Sequence, residues 1–413
     1  MATGMPAKTL LALAMALLPT VAAAADAAPG RGSIPAQARA AQATAAKAPA
    51  AQAIPVHAFN DGINHWRSGH GNGYARLETD DVRGIADAIV LLQRDSGGWA
   101  VNRDPLRVLD AAARRDVIAD KASAGGSFDN RTGYTHVAYL AAAHARTGDE
   151  RYSAAALHGL DFILDQQISS CGGWPHSVPS RTSYHGHITF ADDVTAGVLA
   201  MLRRSLTAPE FGFVDAPRRA RIASAVERGD ACLLRLQVRQ QGRPTIWAAQ
   251  YDATTLRPAQ GRAFELPSLV TDESVGVVRY LMSIDDPSPE VAAAVEGALA
   301  WFQANALHGV RLETFEAAPE QFAHHRSTVD RRLVADPDAP PLWGRFHDLA
   351  DNTVVLADRQ GRRLQAYSQV TRERRTGYHW YGQWPRALLD RDAAQWRQRV
   401  QAAPPAAGST TDS

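Results

Sequence analysis

LLQRDSGGW (residues 91–99), ILDQQISSCGGW (163–174) and LLRLQVRQQGRPTIW (233–247) close alike, each running from an apolar segment through glutamine to a turn and a tryptophan. The closing residues, Trp99, Trp174 and Trp247, recur at about seventy-odd residues, the mark of a repeated supersecondary unit. Between them the apolar spacing is helical. Val291, Val295, Leu299 and Phe302 fall on one face, behind Ser288 as N-cap and Pro289 in the first turn. Val275, Val278 and Met282 form a second face, and Tyr152, Ala156, Leu160 and Ile163 a third, while Gly148 stops the helix before it. The spacing predicts paired helices over about 135–147 with 151–167, 194–206 with 217–238, and 273–284 with 288–305. Short strands are expected in the connections and in 343–366. The expected fold is therefore mainly α, an α/α toroid of three helical hairpins with long loops and a few short strands. Loops on such a scaffold are where sites gather. The tryptophans have two readings, packing of the helix ends or stacking on a ligand.

The chain is 413 residues long with a net charge of +1, which argues against bulk attraction to nucleic acid. Lys8, an apolar run from Leu10 to Leu18 and alanines to Ala25 have the pattern of a secretory signal peptide, expected over 1–25. The run is too short to span a bilayer, where roughly 20 apolar residues are needed. An Ala/Pro/Gln-rich flexible spacer is expected over 26–56, one domain over 57–400, and a disordered tail over 401–413. These features imply a monomer without membrane attachment, secreted or periplasmic. Lys121 is the sole candidate lysine base. Cys171 and Cys232 could be bridged after export or remain free thiols; their spacing suggests no metal site.

WAAQYDATTLRPAQGRAFELPSLVTDES (247–274) sets Arg262 among Asp252, Glu265, Asp272 and Glu273, a mix suited to handling an anion through a cation. This segment resembles the family 10 polysaccharide lyases, the pectate (pectic acid) lyases that cut polygalacturonate by β-elimination. Further blocks are similar to the same family: VLLQRDSGGWAVNRD (90–104), SFDNRTGYTH (127–136), GGWPHSVPSRTSYHGHITFADD (172–193), and DRRLVADPDAPPLWGRFHD (330–348) with ERRTGYHWYGQWP (373–385). The resemblance implies a pectate-lyase-like catalytic domain. It makes Arg262 the base and gives Arg331, Arg345, Trp174, Tyr378, Trp380, Tyr381 and Glu265 to substrate binding. Asp129, Asp192 and Asp193 become ligands for Ca2+, which prefers hard oxygen donors. The partner implied is an acidic polysaccharide.

Each of these residues also has a plain structural reading. Asp129 and one of the Asp192–Asp193 pair could cap helices, Arg331 and Arg345 could form surface ion pairs, and Arg262 could pair with Glu265 or Glu273. His176, His185 and His187 beside carboxylates admit zinc as a weaker alternative. The chain departs from the family at Val101, Arg131, His136, Ala191 and Tyr251.

β-Elimination removes the C5 proton of a uronate, building enolate-like charge that a metal and arginines would stabilise. A free guanidinium titrates above roughly 12, so an arginine base needs desolvation and neighbouring cations to push it down. An alkaline optimum and calcium dependence are expected. Two rivals are an inverting glycosidase using Asp129 and Asp193, with carboxylates about 6.5–9.5 Å apart, and a non-catalytic uronide-binding protein derived from a lyase.

Overall fold

The computed structural model describes residues 54–402 apart from position 324. The expected signal peptide, residues 26–53 of the spacer and residues 403–413 of the tail lie outside the described residues. Three helices come first: α1 (Asn60–His70), α2 (Val82–Leu92) and α3 (Ala111–Asp120). Three hairpins follow, α4 (Tyr134–Thr147) with α5 (Glu150–Asp165), α6 (Val194–Thr207) with α7 (Ala216–Leu236), and α8 (Thr271–Met282) with α9 (Pro289–Ala304). A short α10 (Arg372–Gly377) and α11 (Ala393–Ala402) complete the helices.

The repeated glutamine and tryptophan have a mechanical purpose. Gln93 Nε2 donates to Gly97 O in its own turn and to Ala155 O in α5. Gln167 does the same to Gly172 O and Ala225 O in α7, and Gln237 to Thr245 O and Ala294 O in α9. One amide thus closes its own turn and fastens it to the next hairpin. The indoles behave as consistently: Trp99, Trp174 and Trp247 donate to Ile89 O, Ile163 O and Leu233 O at 2.8–2.9 Å. Gly97 and Gly172 take φ of +88° and +122°, and a Cβ there would meet His158 O at 2.5 Å and Arg228 O at 2.4 Å. Glycine is needed at both for backbone freedom and for close approach.

The fold class departs from expectation. With 48% helix and 16% strand, and many short antiparallel strand pairs, the chain is a mixed α and β protein and not a mainly α toroid of three hairpins. The longest strands, Val310–Gln321 and Arg326–Ala335, pair as a hairpin that the helical reading missed. Its signal was present: Val310, Leu312 and Thr314 alternate with Arg311 and Glu313 at period two. The remaining strands are two residues long, too short for any periodicity to show.

Two apolar clusters follow from this division. One is built from the helices. The other joins Phe264, Val270, Phe346, Leu356, Tyr367, Tyr378 and Trp380 among the strands. Cys171 and Cys232 form a disulfide with Cα atoms 5.1 Å apart, tying the turn after α5 to α7. No helix among the described residues is long and apolar enough to cross a membrane.

Candidate active site

The acidic side of the site comes from the turns that lead into α4 and α6. Phe128-Asp129-Asn130-Arg131 and Phe190-Ala191-Asp192-Asp193 are structural equivalents, each anchored by a buried phenylalanine. Their last two residues take left-handed backbone, Asn130 and Arg131 at φ +49° and +62°, Asp192 and Asp193 at +53° and +58°. Asn and Asp tolerate that region readily, whereas arginine does not. Arg131 is held there by ion pairs to Asp193 at 2.8 Å and Asp61 at 3.3 Å.

This geometry sorts the three expected metal ligands. Asp129 and Asp192 meet through a hydrogen bond. Burial pushes both carboxyls up, but His176, 3.2 Å from Asp129 Oδ2, helps to hold Asp129 down at about 2. Asp192 is driven far upward by burial and by the charges of Asp129 and Glu273. The two carboxyls are thus pulled in opposite directions, Asp129 toward the ionised form and Asp192 toward the protonated one. Asp193 is turned aside instead. Its carboxylate pairs with Arg131 and rests against Gly276 of α8, so it does not join the other two. Among the described residues no group of three or more His, Cys, Asp or Glu is disposed to hold a metal. Asp129 and Asp192 still suit a hard cation: their alternative to one is a proton, and Glu273 Oε2, in electrostatic reach of Asp192, is buried without a partner.

The basic side comes from the strand-rich part. Arg262 is 46% exposed and pairs with Glu265. Glu265 also accepts from the Arg262 backbone at 2.9 Å and from the Tyr378 hydroxyl at 2.7 Å. Burial would lower the pKa of Arg262, but Glu265, Tyr378 and Asp192 outweigh it and raise the value. The downward shift expected of a base is absent in this state, because Glu265 pairs directly with Arg262. Arg345 is nearly buried and ion-paired to Glu273, with Asp272 at 3.6 Å. It lies between the helices and strands because Phe346 pairs with Val270 and its own N–H donates to Trp380 O. The Tyr378 ring is flanked by both guanidiniums, Arg345 at 5.0 Å and Arg262 at 5.4 Å. Asp272 is pushed up to about 7 by burial and Glu273, against the pull of Arg345.

The aromatic residues expected at the site are buried. Trp174 has no exposed surface, and Tyr378 and Trp380 are 8% and 1% exposed. As placed they pack helix ends and hold arginines rather than face a sugar. Arg331 and Tyr381 line a cavity of about 790 Å3 with Tyr367, where Arg331 donates to Arg375 O, and Arg331 has His379 as a neighbour in common with Arg345. Lys121 is spent on the end of α2, donating to Gln93 O. The histidines do not converge as a zinc site would require: His176 and His185 lie face to face at 4.6 Å, and His187 is near Asp252. Of the departures, Tyr251 is buried with its hydroxyl on Leu236 O, and His136 is stacked under Trp99. His176, Tyr184 and Glu273 lie beside these residues; the sequence offered His176 only as a zinc alternative and Glu273 only as a neighbour of Arg262, and did not single out Tyr184.

The sequence model of pectic acid lyase matches residues 93–389. Two solved structures are similar to this chain. One is an aspartate-to-alanine mutant of a family 10 polysaccharide lyase from Cellvibrio cellulosa, in complex with trigalacturonic acid. It is 27% identical over 83% of this chain and 99% of that one, with a TM-score of 0.66. The other is a family 10 polysaccharide lyase from Cellvibrio cellulosa, 26% identical over 85% and 99%, also at 0.66. No curated protein matches.

Proposed function

Since the chain belongs to the pectic acid lyase family and is a polysaccharide lyase, we propose that it cleaves α-1,4-linked polygalacturonate by β-elimination with Arg262 as base. Calcium at Asp129 and Asp192, and export as a monomer, are parts of the same reading. The supporting observation is the half-exposed Arg262 within electrostatic reach of the adjacent carboxyls of Asp129 and Asp192. A cation bound there would stabilise charge on the uronate carboxylate.

The chain's own groups divide the remaining work. Arg345, fixed by Glu273 and Tyr378, offers a planar fork to a uronate carboxylate. Arg262 takes the C5 proton; the C5–H electron pair becomes the C4–C5 double bond, and the C4–O bond breaks toward the leaving sugar. The proton acceptor must be uncharged, and Glu265 opposes this in the free protein, so turnover rises toward alkaline pH. Arg331 and Tyr381, in their own cavity, contact sugar units away from the scissile bond. An inverting hydrolase is disfavoured because Asp129 and Asp192 touch, leaving no gap for a water, and Asp193 is engaged by Arg131.

The test follows new double bonds by ultraviolet absorbance on polygalacturonate, with calcium or a chelator. Arg262→Ala is expected to lose at least about 10^3-fold in kcat, of the order seen when a group acting only in the transition state is removed. A rate that is flat between about pH 6 and 10 with chelator present would overturn both the base and the cation.

A further inference from the structure

Behind the carboxylate pair lies a closed polar chain that the elimination chemistry does not use. His176 Nε2 lies 3.2 Å from Asp129 Oδ2, and Nδ1 lies 2.8 Å from Ser177 Oγ. Ser177 Oγ is in turn 2.9 Å from Ser127 Oγ. The two serines face each other because Gly126–Ser127 and Ser177–Val178 pair antiparallel, with Ser127 opposite Ser177. Ser127 Oγ then accepts from the backbone N–H of Asp129 at 3.2 Å, so the chain returns to the residue where it began. The ring is fixed in its plane as well: His185 stacks on it at 4.6 Å with an interplanar angle of 2°, and Tyr184 meets it edge-on at 5.4 Å.

Counting protons gives the ring a direction. With a neutral imidazole, Ser177 donates to Nδ1 and Nε2–H is left to donate to Asp129, while the Ser127 hydroxyl has both Ser177 Oγ and, at 3.2 Å, His176 O to donate to. Reversing the tautomer would put two lone pairs, Nε2 and Asp129 Oδ2, against each other. A carboxylate with one oxygen tied in this way keeps its other oxygen at a fixed place.

We infer that His176 is a positioning residue, held as the Nε2–H tautomer by Ser177 and Ser127, that aims the Asp129 carboxylate toward the cation and substrate. The inference rests on the calcium reading above for its consequence, but not for its geometry. Long-range proton–nitrogen NMR of the histidine-labelled protein, free of metal and at alkaline pH, reads the tautomer directly. Nδ1 should appear unprotonated and Nε2 protonated; the opposite pattern, or an average of both, overturns the assignment.

The consequence is read by titrating calcium alone, calorimetrically. His176→Ala should bind about 10–100-fold more weakly, the usual loss when a partner of a ligand is removed. His176→Gln, whose side-chain amide can replace the Nε2 donor, should recover to within about threefold. Equal affinity in the alanine variant, or a glutamine variant as weak as alanine, overturns the positioning role. Should the wild type bind no calcium, the calcium reading fails by itself. The same two variants then decide the inference through kcat on polygalacturonate, where Gln must rescue Ala.

Discussion

The acids and the arginines of the cleft are held by different kinds of structure. Asp129 and Asp192 stand on equivalent turns of a repeated helical unit, fixed by local backbone and a buried phenylalanine each. Arg262 and Arg345 are placed by strand pairs and aromatic side chains that join residues far apart in the chain, Phe346 with Val270 and, 113 positions apart, Tyr378 with Glu265. The first arrangement can be copied by repeating a sequence. The second exists only once the strand-rich cluster has closed on α8. Damage to a turn should therefore remove one acid locally, whereas damage among the strands should loosen both arginines together.

The most severe test of that contrast is Arg345→Ala. It leaves Glu273, 5% exposed, without its partner, and should cost about 3–5 kcal/mol in denaturant unfolding along with most activity. A loss below about 1 kcal/mol would mean that the strand side is not organised by this pair. Next comes Cys232→Ser, which opens a link across 61 residues and should cost about 2–4 kcal/mol while leaving KM unchanged; thermal unfolding with and without reductant reads it. Gln237→Ala strips two carbonyls, Thr245 O and Ala294 O, of their donor and should cost about 1–3 kcal/mol. If it instead proves neutral, the repeated glutamine is not the clasp between hairpins.

The smallest effect is a pH dependence on the arginine side. Asp272 is raised to about 7, so the folded protein holds its proton more tightly than the unfolded chain does. The stability this contributes is complete below about pH 4, the unfolded value, and is lost as pH rises through about 7. Asp272→Asn should flatten that part of the profile of melting temperature against pH. An unchanged slope would separate Asp272 from the Glu273–Arg345 cluster.

Much of this was readable beforehand, and for a physical reason. Helices α4 to α9 lie where periodicity puts them, since a helix is specified by residues three and four apart. Asp129 and Asp192 come together as the family resemblance implies, while Asp193, adjacent in sequence, is turned to Arg131 by a left-handed backbone that no spacing reveals. The resemblance gives Tyr378 and Trp380 to substrate binding, but that they are buried against Arg345 is a matter of packing that no linear pattern carries.

The order of residues by itself determined the helical repeat, the recurrence of its closing glutamine and tryptophan, and the supply of arginines and carboxylates. Tertiary structure alone decided that Asp129 and Asp192 stand together, that the Tyr378 ring lies between Arg262 and Arg345, and that a histidine stands behind Asp129. Those are properties of distance and burial across strands and turns far apart in the chain, and a linear pattern carries neither.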